Sequence, residues 1–151
     1  MHAREIKNGI QNIATVHWER RLFDSLIPLP DGTSYNAYLV KGQHATALID
    51  SADPVLQNEL MEQLQKVECI DYVVSQHSEQ DHSGAIPLVL ARFPEAKVVC
   101  SEKAKDLLAT HLGISEDRLV AAEDGQTISL GGKTLEFIHT PWVHWPETMC
   151  T

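Results

Sequence analysis

Between residues 45 and 113 the sequence alternates β-rich runs with segments of helical periodicity. Helices that alternate with strands are typical of layered folds, in which the helices cover a sheet. The alternation therefore predicts an α/β layered fold. The predicted strands are residues 45–50, 72–75 and 97–100, and the predicted helices are residues 54–66, residues 83–93 and a segment between Ser101 and Gly113.

Further β-rich runs lie on both sides of the alternating region. Residues 34–40 and 45–50 are separated by four residues, which predicts a hairpin. The pair Gly131-Gly132 predicts a tight turn within a second hairpin at residues 127–140. With residues 10–16 and 20–23 as additional short strands, we expect a mixed β-sheet.

Capping residues indicate where the predicted helices begin and end. Asp53 precedes Pro54 and is typical of an N-cap followed by proline at the first helical position. Ser101 is the predicted N-cap of the third helix, and Gly113 suits its C-terminal end. We expect Asp53 to act as a helix cap rather than as a metal ligand.

The chain has a formal net charge of −9 over 151 residues. This charge argues against nucleic acid and anionic membrane surfaces as partners, because binding to both relies on clustered Lys and Arg. Apolar runs are too short to span a bilayer, and residues 1–10 lack the apolar block of a signal peptide. We expect a cytoplasmic chain that forms one domain or one piece of a larger protein.

The three cysteines, Cys69, Cys100 and Cys150, are widely spaced and form no CxxC pair. Neither a disulfide framework nor a thiolate zinc site is therefore predicted. Since free cysteine is often buried, we expect all three to pack as small apolar residues.

Two histidines and two carboxylates lie within six residues, directly after the predicted strand at residues 72–75. On an extended backbone alternate side chains point the same way, so His77, Glu79 and Asp81 are expected to converge, and a following turn brings His82 round. Four potential ligands on one loop exceed what a single ion requires. The cluster predicts a two-metal site; a solvated polar loop is the alternative.

A second candidate stretch, residues 139–146, follows the last predicted strand and contains His144. Because ligands in α/β folds bind beyond strand ends, we expect His144 to reach the same edge of the sheet as the first loop and to be a fifth ligand. A packing role beside Trp142 and Trp145 is the alternative. We expect His139 to be structural or to contact a ligand, and the remaining histidines, His2, His17, His44 and His111, to be structural or at the surface.

The loop HSEQDHSGAIP, the upstream stretches TSYNAYLV and ALID, and the later TPWVHWPETM together resemble the flavodiiron proteins, a branch of the metallo-β-lactamase fold superfamily. The resemblance implies an αββα sandwich. Most members of the superfamily carry HxHxDH, whereas Glu79 stands at the middle histidine position here, as in the flavodiiron branch. A carboxylate adds negative charge and a hard oxygen donor, which shifts metal preference from zinc towards iron.

Carried over by position, the resemblance implies that His77, Glu79 and His144 hold one iron, and that Asp81 and His82 serve a second. The later bridging Asp and final His of the family pattern do not occur in this sequence, so we expect an incomplete second iron site. Residues 1–151 are accordingly expected to be a truncated metallo-β-lactamase-like domain, without its C-terminal half and without the flavodoxin-like domain that carries FMN. The inner face of its sheet should expose apolar surface unless something covers it.

The activity that the resemblance implies is reduction of O2 to water or of NO to N2O by a binuclear iron site. Electrons would come through FMN from a donor such as a rubredoxin or another reduced flavin, and the intact protein would be a homodimer. We expect the fragment alone to be weakly metallated and inactive. Two alternatives remain: a zinc-dependent hydrolase of the superfamily, which Glu79 disfavours, and a non-enzymatic diiron gas sensor.

Overall fold

The computed structural model describes residues 3–151 and contains thirteen strands and four α-helices in that range. The strands are β1 (Arg4–Lys7), β2 (Ile10–His17), β3 (Leu22–Phe23), β4 (Ile27–Pro28), β5 (Thr33–Lys41), β6 (Thr46–Ile49), β7 (Tyr72–Val74), β8 (Lys97–Cys100), β9 (Leu119–Ala121), β10 (Thr127–Ser129), β11 (Thr134–Glu136), β12 (Ile138–His139) and β13 (Met149–Cys150). The α-helices are α1 (Gln57–Gln63), α2 (Gln80–Ser83), α3 (Ile86–Arg92) and α4 (Glu102–Leu112), and 3₁₀ turns occupy Pro54–Leu56 and Glu116–Arg118.

Seven of these strands form one sheet in the order β1-β2-β5-β6-β7-β8-β9. The strands from β1 to β6 pair antiparallel, and β6, β7, β8 and β9 pair parallel. The predicted α/β fold with a mixed sheet is confirmed. The parallel half places the ends of β6, β7 and β8 at one edge of the sheet, where the ligand-rich loop emerges.

Alternate residues of the central strands face two separate apolar clusters. Leu48, Val73 and Val98 pack against the helices, together with Leu60 of α1 and Leu108 of α4. This is the period-two pattern of a sheet that is buried on both faces. Each strand thus contributes to both cores, which fixes its register.

The opposite face of the sheet carries Ile49, Val74 and Val99, which pack against Leu135 and Phe137 from the C-terminal region. The β10–β11 hairpin therefore covers part of the face that we expected to be exposed. The remainder lies open beside β2 and β5 as a cavity of about 850 Å³. Its apolar lining includes Ile10, Tyr38, Val40 and Ile138.

The predicted helix ends were correct at the caps and less accurate elsewhere. The side chain of Asp53 accepts a hydrogen bond from Val55 N, but the turn that it caps is 3₁₀, and α1 ends at Gln63 instead of Lys66. Ser101 caps α4, and Gly113 ends it with a positive φ of 65°. The predicted helix at residues 83–93 is present as α3, which begins only at Ile86 and ends at Arg92, and the separate turn α2 that precedes it was not predicted.

The burial predicted for the cysteines is correct only for Cys100, since Cys69 and Cys150 are exposed. Strand β9 was not predicted, because three residues carry too little pattern and the strand is defined by its pairing with β8. Within residues 3–151 no helix is long and apolar enough to cross a membrane.

Candidate metal centre

The ligand-rich loop leaves the sheet at the end of β7. Asp50 at the end of β6 holds the start of this loop, since its two carboxylate oxygens accept from Gln76 N at 2.8 Å and from Gln76 Nε2 at 3.2 Å. The carbonyl of Gln76 in turn accepts from Met149 N at 3.0 Å. Backbone contacts on both sides thus fix the loop before its first histidine.

Three of the predicted ligands converge on one point. His77 Nε2 lies 3.0 Å and His144 Nε2 lies 3.4 Å from Glu79 Oε2, and one potential ligand atom from each of the three residues lies within 4.8 Å of the others. Metal bonds to imidazole and carboxylate are about 2.0–2.2 Å long, so ligand atoms around one ion are separated by about 3–3.5 Å. The arrangement fits a single cation with two imidazoles and one carboxylate.

Asp81 and His82 do not join that group. The prediction that His77, Glu79 and Asp81 converge on an extended backbone is wrong, because the backbone turns helical at α2 directly after Glu79. His82 Nε2 instead lies 3.7 Å from Asp81 Oδ2, and the His82 ring centroid lies 5.6 Å from that of His77. The two residues therefore form a neighbouring pair beside the three-residue group.

The Asp81 carboxylate carries an unsatisfied acceptor. Its Oδ1 is buried and has no hydrogen-bond partner within the described residues. Burial raises the pKa of Asp81, while the nearby His82 lowers it. A buried oxygen without a donor is costly, and a cation bound beside it would remove that cost; Asp81 thus fits a second metal position.

His144 reaches the site on a hairpin loop. Strands β12 and β13 pair antiparallel on either side of this loop. We predicted that the loop follows the last strand, but it lies between two short strands. Backbone bonds from Trp142 N to Trp145 O (2.8 Å) and from Thr140 N to Thr148 O (2.9 Å) close the loop. The Trp145 ring stands edge-on to His77 with centroids 5.0 Å apart.

Sequence reasoning missed Glu147, three residues after His144. Its side chain is fully buried, and its Oε1 accepts from His77 Nδ1 at 2.8 Å, from Ser78 Oγ at 2.7 Å and from Ser78 N at 3.2 Å. Burial raises the pKa of Glu147, but hydrogen bonds led by that of Ser78 Oγ hold it below its usual value. A carboxylate in the same short loop as a candidate ligand was the only available signal.

The other histidines lie outside the three-residue group. His139 Nε2 hydrogen-bonds the carbonyl of Ala122 at 2.9 Å, which indicates a structural role. His44 lies in the β5–β6 turn and contacts Gly131. His2 is outside the described residues. Asp53 serves as the predicted cap and also pairs with Arg20 at 3.1 Å.

Comparison with known proteins gives consistent matches. Residues 33–151 match the family model described as ODP family beta lactamase. The chain is 39% identical to coenzyme F420H2 oxidase from Methanothermobacter marburgensis and 35% identical to a nitric oxide reductase from Moorella thermoacetica, over 99% and 97% of its length. A variant of a flavodiiron protein from Thermotoga maritima superimposes with a TM-score of 0.90 at 32% identity over 97% of the chain. The chain spans 37–38% of the length of these proteins.

Proposed function

We propose, from the premise that this chain belongs to the ODP family of β-lactamase-like domains, that it is the diiron-site part of an oxygen or nitric oxide reductase of flavodiiron type. The observation that carries the proposal is the convergence of His77, Glu79 and His144, with a carboxylate between two imidazoles. The names of the similar oxidase and nitric oxide reductase support the reaction class.

In this proposal His77, Glu79 and His144 hold one iron. Two imidazoles and one carboxylate leave coordination positions open for a small ligand. Asp81 and His82 contribute to the second iron. When bound, the iron pair supplies electron-transfer and Lewis-acid chemistry for reduction of O2 to water or of NO to N2O.

The chain's own residues give that chemistry its geometry. The Asp50 carboxylate and Met149 N hold Gln76, and so position the loop that bears His77. The half-buried Glu79 and the buried Asp81 supply negative charge at the site, which favours the higher oxidation state of a bound metal. The exposed His144 leaves one side of the centre accessible to a small gas.

The remaining parts of the proposal concern the intact protein. Residues 1–151 would be the first part of a metallo-β-lactamase-like domain, followed by its C-terminal half and by a flavodoxin-like domain with FMN. The electron donor would be a rubredoxin or another reduced flavin, and the protein would act in the cytoplasm as a homodimer without nucleic acid or membrane partners.

Anaerobic titration with Fe(II), followed by metal analysis and visible spectroscopy, tests the proposal. We expect the chain to retain iron and to develop a peroxide-sensitive absorption, and we expect His144→Ala to lose both. His44→Ala, a histidine in the β5–β6 turn, is the matched control and should retain them. A colourless chain that selects zinc over iron would instead indicate the hydrolase.

The activity itself is tested on the parent-length protein, loaded with iron and supplied with a reduced flavin donor. Consumption of O2 or NO is expected. Iron binding without consumption of either gas would contradict the reductase and would favour a gas sensor.

A further inference from the structure

The carboxylate of Glu147 joins the two loops that carry the candidate ligands. It lies in the same loop as His144 and accepts all its hydrogen bonds from His77 and Ser78 of the other loop. Its backbone carbonyl accepts from Ser101 Oγ, the cap of α4, at 2.6 Å. Glu147 is therefore held at both its backbone and its side chain.

The contact with His77 also determines which imidazole nitrogen carries the proton. A carboxylate only accepts hydrogen bonds, so a neutral His77 ring can donate either from Nδ1 to Glu147 Oε1 at 2.8 Å or from Nε2 to Glu79 Oε2 at 3.0 Å. The contact with Glu147 is the shorter one, and the Glu147 side chain is fully buried while that of Glu79 is 21% exposed to water, so the proton is favoured on Nδ1. In the neutral ring Nε2 is then unprotonated, and this is the atom that faces Glu79 at 3.0 Å. Metal-bound histidines commonly donate their second nitrogen to a carboxylate in this way.

Packing holds the His77 ring in this orientation. The Trp145 ring packs against the His77 ring in an edge-on arrangement. The His77 side chain is only 10% exposed. Ser78 fixes the acceptor in turn, because its N–H and hydroxyl donate to the same Oε1 atom. Rotation of the ring by a half-turn would exchange Nδ1 with Cδ2 and Nε2 with Cε1, so Glu147 Oε1 would lose its third donor and Nε2 would no longer face Glu79.

We propose that Glu147 is a positioning residue that fixes the Nδ1–H tautomer and the ring orientation of His77, and so presents Nε2 for metal binding. This deepens the proposed function, on which its iron-binding consequence rests. The tautomer is a property of the metal-free chain and can be measured separately.

The first test is ¹⁵N NMR of the histidine side chains in the metal-free chain. The spectra are recorded at a pH above the ordinary imidazole pKa of about 6.5, and His77→Gln assigns the His77 signals. We expect His77 to be protonated at Nδ1. Glu147→Met fills a similar volume without an acceptor, and should shift His77 towards the Nε2–H form. Glu147→Gln retains an amide oxygen that can accept, and should restore the Nδ1–H form. A wild-type His77 protonated at Nε2, or an unchanged tautomer in folded Glu147→Met, would overturn the proposal.

The second test is Fe(II) affinity under anaerobic conditions. Loss of an outer partner of a metal-bound histidine typically weakens binding about 10- to 100-fold, and we expect this loss in Glu147→Met with partial recovery in Glu147→Gln. Asp71→Asn is the control, because Asp71 accepts a backbone N–H of Thr46 at the opposite end of β7. Wild-type iron affinity equal to that of Glu147→Met would overturn the inference. If the wild type binds no iron, the proposed function fails while the tautomer measurement still stands.

Discussion

At the scale of single residues, Glu79 distinguishes this centre from the histidine-rich sites of the wider superfamily. It is the residue that both His77 Nε2 and His144 Nε2 approach within 3.4 Å. A carboxylate in this position adds a hard, anionic donor, which suits iron better than zinc. Metal preference is therefore a property that one substitution can test.

We expect Glu79→His to shift metal selection from iron towards zinc. The variant replaces the anionic oxygen by a neutral nitrogen and recreates HxHxDH. The zinc-to-iron ratio after equilibration with both metals should rise by at least about tenfold, the scale of effect seen even for outer partners of metal ligands. Gln80→His, next to Glu79 on an exposed side chain, is the control and should leave the ratio unchanged. A wild-type ratio in Glu79→His would contradict the prediction.

Asp50 predicts a pH dependence of stability. Burial raises its pKa from 3.8 to about 6, against the opposing effect of hydrogen bonds from Gln76 and of nearby His82 and His77. A raised carboxyl pKa means that the folded state binds the proton more tightly than the unfolded state. The contribution of this protonated carboxyl group to the free energy of unfolding is therefore fully present below pH 3.8 and is lost as pH rises through about 6.

The expected change over that window is on the order of 3 kcal/mol, since one pKa unit corresponds to about 1.4 kcal/mol. Urea denaturation of the metal-free chain should show it when the wild type is compared with Asp50→Asn, which does not titrate. The free energy of unfolding of the wild type should fall relative to that of Asp50→Asn between pH 3.8 and about 6. A constant difference would show that Asp50 does not titrate there.

At the scale of elements, the site depends on how α4 and the β12–β13 loop meet. Ser101 Oγ accepts from Ala104 N and donates to the carbonyl of Glu147. One hydroxyl thus caps a helix and anchors the loop that carries His144. Ser115 stands before the 3₁₀ turn at Glu116–Arg118 and makes no such cap bond.

We expect Ser101→Ala to lower the free energy of unfolding by about 1–2 kcal/mol, the usual loss for a helix cap, with an added loss of Fe(II) affinity from the freed loop. Ser115→Ala is the matched control and should change stability by less than about 0.5 kcal/mol. Chemical denaturation measures the first effect and Fe(II) titration the second. Equal stability of the two variants would contradict the proposed anchor.

The β5–β6 turn and the β10–β11 hairpin are also joined closely. His44 N and Ala45 N both donate to the carbonyl of Leu130, and a Cβ on Gly42 would lie 1.9 Å from that oxygen. We expect Gly42→Ala to cost about 1–3 kcal/mol through overpacking. The exposed neighbour Gln43 provides the control, since Gln43→Ala should stay within about 0.5 kcal/mol of wild type. Urea denaturation midpoints of the two variants measure the difference in stability. Equal midpoints would mean that the β10–β11 hairpin shifts without cost to make room for the added methyl group.

At the scale of the whole molecule, the sheet has one face closed by helices and the other closed only in part. The hairpin covers the β6–β8 region, while the cavity beside β2 and β5 retains apolar lining. The candidate ligands show the same asymmetry. One group of three converges, and the Asp81–His82 pair beside it is less complete.

This asymmetry predicts the metal stoichiometry. After loading with excess Fe(II) and removal of unbound metal, the chain should retain about one iron, because within residues 3–151 only one site combines three convergent ligands. Metal analysis with quantitative amino-acid analysis gives the ratio. Retention of about two irons per chain would show that Asp81 and His82 bind a second ion without further protein ligands.

The local features of the fold could be predicted because they depend on neighbouring residues. Asp53, Ser101 and Gly113 act at helix ends through their own side chains or backbone freedom, and the hairpin at Thr33–Ile49 follows from its β-rich runs. The turn α2 was missed because its four residues, Gln, Asp, His and Ser, carry no clear apolar periodicity. Asp81 was therefore predicted to converge with His77 and Glu79, whereas it lies beside them in a pair with His82.

The sequence by itself determined the alternation of strands and helices and the identity of the residues that can bind a metal. Tertiary structure alone decided which of them meet: Glu79 with His144, and His77 with Glu147 across 70 positions of the chain. Such contacts depend on the pairing of β7 with its neighbours and on the return of β13, which no local pattern encodes. Only the folded sheet brings these two loops to one edge.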